Sequence, residues 1–166
     1  EQLYLRSLSK IGFHLGVATN LANLYKKLGK HNKATKYYRI CHEYDPSNVS
    51  SSLNYAQSLI EQDQYALAHQ CLCAIDTSEL NKSQDALYTI LLQFSYSQLD
   101  PSKFTDYSQD RLSILLDKVS HLKPSQLIIA SHLLIDINQA QESFSVFRTL
   151  TSKVLQLIND GVSVEP

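Results

Sequence analysis

The sequence predicts an all-α protein, an array of antiparallel helix pairs that share a continuous core. Apolar residues recur at helical spacing through most of the chain. Small residues stand where two helices need a close approach, and turn-forming residues separate the apolar segments. With 43% hydrophobic residues and only 4 Gly and 4 Pro in 166 residues, the composition is typical of a folded helical chain.

The clearest helix pair lies within residues 20–46. The inner face of its first helix carries Leu21, Ala22 and Tyr25. The inner stripe of its second helix carries Ala34, Tyr38 and Cys41. Gly29 can end the first helix, and Pro46 ends the second because proline lacks an N–H and disfavours helical geometry in Asp45. The two alanines are the small side chains that let the helices pack closely.

This pattern of small, aromatic and turn residues resembles the tetratricopeptide repeat (TPR), whose period is 34 residues. Ala18 stands where the family usually has a large residue early in the first helix. The resemblance implies a right-handed superhelical array, a TPR-like α-solenoid, with about four helix-pair units plus an N-terminal helix.

We predict that residues 1–166 form a single TPR-like domain, divided by the period of the repeat. The predicted segments are an extra helix at 2–14, repeats at 15–48 and 49–82, a divergent repeat with an inserted turn at 83–123, a terminal helix pair at 124–159 and a tail at 160–166. In the second repeat Ala56 and Ala68 are the small residues, and Asp63 takes the turn position that Gly29 has in the first. In the third, Leu87, Ile90, Leu91 and Phe94 are expected to face inward.

Charge and hydropathy exclude two classes of partner. Fifteen basic against sixteen acidic residues give a formal net charge of -1, which is not the electrostatic footprint of a nucleic-acid-binding protein. No apolar run is long enough for a membrane span. The chain lacks an initial methionine and a signal-peptide pattern, so we expect a piece of a longer protein whose export signal, if it had one, has been removed.

The three cysteines, Cys41, Cys71 and Cys73, are interpreted as buried reduced thiols. They favour the cytoplasm, and the periplasm stays open if an export signal was removed. His69 and Cys73 share a helix face, but two ligands are too few for a closed zinc site. Ser7 and Lys10 fit a serine–lysine motif without its companion motifs. We therefore predict no enzyme activity, no metal and no cofactor.

The resemblance implies a concave groove, lined by the first helix of each pair, that binds a peptide or a partner helix. By analogy, ten positions are expected to be exposed there: Thr19, Asn20, Asn23, Lys26, Lys27, Leu53, Asn54, Gln57, Ile60 and Glu61. Asparagine suits such a groove because one side chain can donate to a peptide C=O and accept from its N–H. The basic stretch from Lys26 to Arg39 is interpreted as a solvated rim, with a patch for an acidic partner as the alternative.

One branch of the family clamps the terminal carboxylate of a heat-shock chaperone with lysines, an arginine and two asparagines. Asn23 and Asn54 occupy the asparagine places, but Thr19, Gln84 and Tyr88 stand where cations are needed, so that ligand is rejected. We predict a non-catalytic scaffold that binds a protein or peptide. We expect this scaffold to be an assembly factor of a bacterial pilus or secretion system. The alternatives are a cytoplasmic secretion chaperone and the regulatory arm of a larger enzyme.

Overall fold

The computed structural model describes residues 14–100 continuously and, after them, only thirteen scattered residues: 114, 117, 118, 121, 122, 126, 129, 130, 132, 133, 152, 155 and 156. Five α-helices occupy the continuous part: α1 (Leu15–Lys27), α2 (His31–Tyr44), α3 (Val49–Ile60), α4 (Tyr65–Cys73) and α5 (Lys82–Leu99). The described residues contain no strand. The all-α class and the helical-repeat fold are confirmed, while the right-handed superhelical course stays a prediction.

The chain divides into two compact units, residues 1–76 and 77–166. In the first unit α1 packs on α2, α2 on α3 and α3 on α4, so that two consecutive helix pairs stack. The single-domain organisation and its segment boundaries stay predictions. The predicted helix at 2–14 lies, except for residue 14, outside the described residues, as do most of the terminal helix pair and the tail.

The two helix pairs of the first unit turn in the same way. Gly29 after α1 has φ +68°, and Asp63 after α3 has φ +58°. In the first turn the N–H of Lys30 donates to the C=O of Tyr25 at 2.9 Å, and in the second the N–H of Gln64 donates to the C=O of Leu59 at 2.9 Å. Both are Schellman caps, which need a left-handed residue just past the helix. The predicted equivalence of Gly29 and Asp63 is confirmed.

Small side chains lie at the helix crossings of the first unit. Ala22 and Ala34 are 0% and 2% exposed and belong to one core cluster with Leu21, Tyr25 and Tyr38. Ala18, where the family usually has a larger residue, is also fully buried. In the second pair Ala56 and Ala68 are fully buried. The predicted inner stripe of the first pair is therefore confirmed, and in the second pair the two predicted small residues are buried as expected. Tyr55, Tyr65 and Ile75, which were also predicted to face inward, are half-buried.

Polar side chains connect the two helix pairs near the turn between α2 and α3. Asn48 caps α3, and its side chain accepts from the N–H of Ser51 at 3.0 Å. His42 on α2 stacks on Tyr55 of α3 with 5.5 Å between ring centroids. The same imidazole bonds through Nδ1 to the hydroxyl of the buried Ser52 at 2.9 Å. These polar and stacking contacts hold α3 of the second pair against α2 of the first.

The second unit contains α5. Its start is fixed by a capping box, in which the Asn81 side chain accepts from the N–H of Gln84 and the Gln84 side chain accepts from the N–H of Asn81. The predicted inward residues Leu87, Ile90, Leu91 and Phe94 are buried, which confirms the face that the sequence indicated. Within this unit the Lys118 ammonium lies 2.9 Å from the Asp85 carboxylate.

Candidate functional site

The first helices of the two pairs, α1 and α3, carry the residues predicted to bind a partner. On α1, Asn20, Asn23 and Lys27 are exposed, whereas Thr19 and Lys26 are half-buried. On α3, Asn54 is half-buried. Glu61, just past the helix end, is exposed as a whole residue, but its side chain is only 25% exposed. We call the surface formed by these seven residues the α1/α3 face.

The remaining three predicted positions are not exposed. Leu53, Gln57 and Ile60 are 2%, 5% and 4% exposed, so the expectation that they lie open in a groove is wrong. Helical periodicity within α3 assigns a residue to a side of the helix. Whether that side is covered depends on how other elements pack against the helix, which the register of a single helix does not contain. Nearly the whole circumference of α3 is buried.

Asn23 is held by an aromatic hydroxyl from the second helix of its own pair. The Tyr38 hydroxyl on α2 donates to Asn23 Oδ1 at 2.5 Å. Tyr38 itself is 3% exposed. Burial, together with the negative charge of Glu61, raises the pKa of Tyr38 from 10.0 to about 12, so this phenol stays a donor well into the alkaline range. The bond orients the Asn23 amide and leaves Nδ2, with its two N–H donors, for a ligand.

The ends of α1 and α3 are joined by an ion pair. Lys26 Nζ lies 2.7 Å from Glu61 Oε1, with the two side chains 31% and 25% exposed. Gln57 Nε2 donates to the same Glu61 oxygen at 3.0 Å. The carboxylate is thus held from both helices. The charge of Lys26 is compensated within the protein.

Two further residues of the face differ in their hydrogen bonding. The Thr19 hydroxyl donates to the C=O of Leu15, four residues earlier in α1, at 2.9 Å. Its oxygen is also 3.6 Å from the Cys41 sulfur. Thr19 therefore has its donor occupied inside the protein. Asn54, in contrast, makes no side-chain hydrogen bond within the described part of the chain.

Several side chains of the basic stretch from Lys26 to Arg39 make local contacts. Besides the pairing of Lys26, Arg39 Nε lies 3.6 Å from Glu43 Oε1, one turn further along α2. Lys33 Nζ sits 5.3 Å from the centroid of the Tyr25 ring. Lys26 and Arg39 are thus paired with carboxylates inside the protein, and the choice between a solvated rim and a patch for an acidic partner stays a prediction.

The cysteines divide into two environments. Cys41 and Cys71 are buried, whereas Cys73 is exposed, so the expectation of three buried thiols is wrong at Cys73. Burial raises the pKa of the Cys71 thiol to about 11. The exposed Cys73 sulfur lies 3.5 Å from His69 Nε2, one helical turn away. Among the described residues, no group of three or more His, Cys, Asp or Glu side chains is arranged to hold a metal ion.

No helix in the described residues is long and apolar enough to cross a membrane.

The sequence alone did not predict two contacts of this face: the bond from Tyr38 to Asn23 and the pair of Lys26 with Glu61. The sequence contains a tyrosine at an inner position and opposite charges at the ends of successive first helices, but neither signal says which residues meet.

Comparison with known proteins gives a family match for one segment of the chain. Residues 15–48 match the model of the tetratricopeptide repeat family. No curated protein and no solved structure matches the chain. Over these 34 of the 166 residues the match confirms the predicted resemblance; it covers α1, the turn at Gly29 and the whole of α2.

Proposed function

Because residues 15–48 form a tetratricopeptide repeat, we propose that the chain is a protein-interaction scaffold whose α1/α3 face binds an extended peptide segment of a partner. Repeats of this family generally serve as non-catalytic interaction modules. The proposal assigns binding to the seven residues of the face that are not buried: Thr19, Asn20, Asn23, Lys26, Lys27, Asn54 and Glu61.

The observation that carries this proposal is the oriented amide of Asn23. An extended peptide presents a C=O and an N–H at each residue, and a fixed side-chain amide pairs with such groups at low entropic cost. Tyr38 fixes the Asn23 amide by its bond of 2.5 Å, so Asn23 is prepared to donate to a main-chain carbonyl. Asn54 supplies a second amide from the next pair.

The three settings predicted from the sequence remain proposals. They are assembly of a bacterial pilus or secretion system, secretion chaperoning in the cytoplasm, and regulation of an enzyme whose catalytic part lies elsewhere. Each requires a protein partner, which is the property that a repeat scaffold supplies. The first two predict that the captured partner is a component of a pilus or an export system.

The experiment compares peptide retention by the full chain and two double variants. A pool of randomised octapeptides is passed over immobilised protein, and retained peptides are quantified by mass spectrometry. Asn23→Ala with Asn54→Ala should lower retention about tenfold, because two amide contacts are lost. The matched control, Asn32→Ala with Gln70→Ala, removes two exposed amides from the second helices, α2 and α4, and should retain the pool as wild type does.

Equal retention by the two double variants would contradict the assignment of binding to the α1/α3 face. Retention of no peptide by wild-type protein would contradict the proposed function itself. Circular dichroism of each variant verifies that the helices are intact.

A further inference from the structure

The α1/α3 face carries its own carboxylate at the place where its most enclosed cation lies. Glu61 Oε1 is 2.7 Å from Lys26 Nζ, the distance of a charge-assisted hydrogen bond. Gln57 donates to the same oxygen at 3.0 Å and so restrains the Glu61 side chain. Gln57 is 5% exposed, which makes it a fixed support rather than a mobile surface group.

A ligand carboxylate that approached Lys26 would have to displace Glu61 or lie beside it. Displacement breaks the pair with Lys26 and the bond from Gln57, and lying beside it brings two like charges together. Lys27 is the other cation of the face, but it is exposed and solvated, and such charges contribute little to binding. The face therefore offers a carboxylate no cation that is both enclosed and uncompensated.

The uncharged main chain of a peptide can bind without displacing Glu61 and without repulsion from its carboxylate. Asn23 Nδ2 can donate to a peptide C=O while Tyr38 holds its oxygen, and the Asn54 amide can both donate and accept. From these contacts we infer that Glu61 is a specificity-determining residue. By occupying Lys26 it excludes carboxylate groups from this end of the face, so that the face selects stretches of extended chain that have no acidic group there. This inference rests on the proposed function.

The test uses three pools of randomised octapeptides on the immobilised full chain. All random positions are drawn from uncharged residues. The first pool ends in an amide, the second ends in a free carboxylate, and the third ends in an amide but carries one internal glutamate. The second and third pools separate a terminal carboxylate from a side-chain carboxylate. The readout is the ratio of each acidic pool to the neutral pool on one variant, so it does not depend on how much protein is folded.

Wild-type protein should retain the neutral pool at least as well as either acidic pool. Glu61→Gln keeps the shape of the side chain and frees Lys26 from its counter-ion, so at least one acidic-to-neutral ratio should rise roughly 3- to 10-fold. Adding Lys26→Gln to Glu61→Gln should return that ratio to the wild-type value. Glu43→Gln, which changes the net charge equally but lies on α2, should leave both ratios unchanged.

Unchanged ratios in Glu61→Gln would overturn the inference, as would a rise in Glu43→Gln of the same size. A wild-type preference for either acidic pool would overturn it too. In all these cases peptides are still retained, and the proposed function stands. If no pool is retained by wild-type protein, the proposed function fails and the inference fails with it.

Discussion

The hydroxyl of Tyr38 on α2 donates to Oδ1 of Asn23 on α1 at 2.5 Å, which ties the core of the first helix pair to its exposed side. Removing this hydroxyl in Tyr38→Phe should lower the free energy of unfolding by about 0.5–1.5 kcal/mol, because a half-buried hydrogen bond is lost while the ring still packs. It should also weaken peptide retention, because the Asn23 amide is no longer oriented. Urea denaturation measures the first effect, and the pool assay measures the second.

Tyr65→Phe is the matched control for that substitution. The Tyr65 hydroxyl donates to Asp63 at 2.6 Å in an exposed position, so its loss should cost less than the loss at Tyr38 and leave retention unchanged. Equal effects of the two substitutions would show that Tyr38 does not orient Asn23.

The close crossing of α3 and α4 predicts different stabilities for two Ala→Leu variants of α4. Ala68 is fully buried, and Ala66, two residues earlier on the same helix, is exposed. Ala68→Leu should destabilise by about 1–3 kcal/mol because the added methyl groups have no space at the crossing. Ala66→Leu should change the stability by less than about 0.5 kcal/mol. Thermal or urea unfolding checks both, and equal stability of the two variants would contradict the crossing.

The turn after α1 predicts opposite effects for one substitution at two glycines. Gly29 has φ +68°, and a Cβ built there meets nothing within 4 Å, so Gly29→Ala is opposed by backbone conformation alone. We expect a loss of about 1 kcal/mol. Gly16 is the second residue of α1, and a Cβ built there meets the His14 ring at an ordinary contact distance of 3.4 Å, so Gly16→Ala should stabilise by about 0.5 kcal/mol because alanine favours the helix. The same sign at both positions in urea denaturation would contradict the assigned turn.

The buried thiol of Cys71 should make the free energy of unfolding fall at alkaline pH. Burial raises the pKa of the Cys71 thiol from 9.0 to about 11. The contribution of this proton to stability is complete below pH 9, where the unfolded thiol is still protonated, and is lost as the pH rises through 11. Cys71→Ala should therefore lose less stability than wild type between pH 9 and pH 11. Urea denaturation across this range checks the difference, with the exposed Cys73→Ala as the control; identical slopes for wild type and Cys71→Ala would contradict it.

The first helix pair could be predicted from sequence because its determinants are local. Gly29 and Pro46 end helices by their own backbone preferences, and Ala22 and Ala34 recur at the spacing of one helix face. The family match at residues 15–48 covers the same signals. Asp63 was predictable for a related reason, since aspartate tolerates the left-handed conformation better than most residues.

The chemistry of the candidate site could not be predicted in the same way. Lys26 and Glu61 are 35 residues apart, and their pairing depends on how the ends of two separate helices meet. Burial of Leu53, Gln57 and Ile60 likewise depends on neighbours outside α3. Tyr38 was assigned correctly to the core, but its hydroxyl reaches Asn23 only because the two helices cross at that level. Residue types at one helical spacing do not carry this information.

The most direct test of the central claim, that partners bind across the α1/α3 face, is site-specific photocrosslinking of the retained peptides. A benzophenone side chain is introduced at Lys27, an exposed position of the face, or at Lys36, an exposed position on α2. The account predicts crosslinked peptide from position 27 and little or none from position 36. Crosslinking from position 36 but not from position 27 would contradict it.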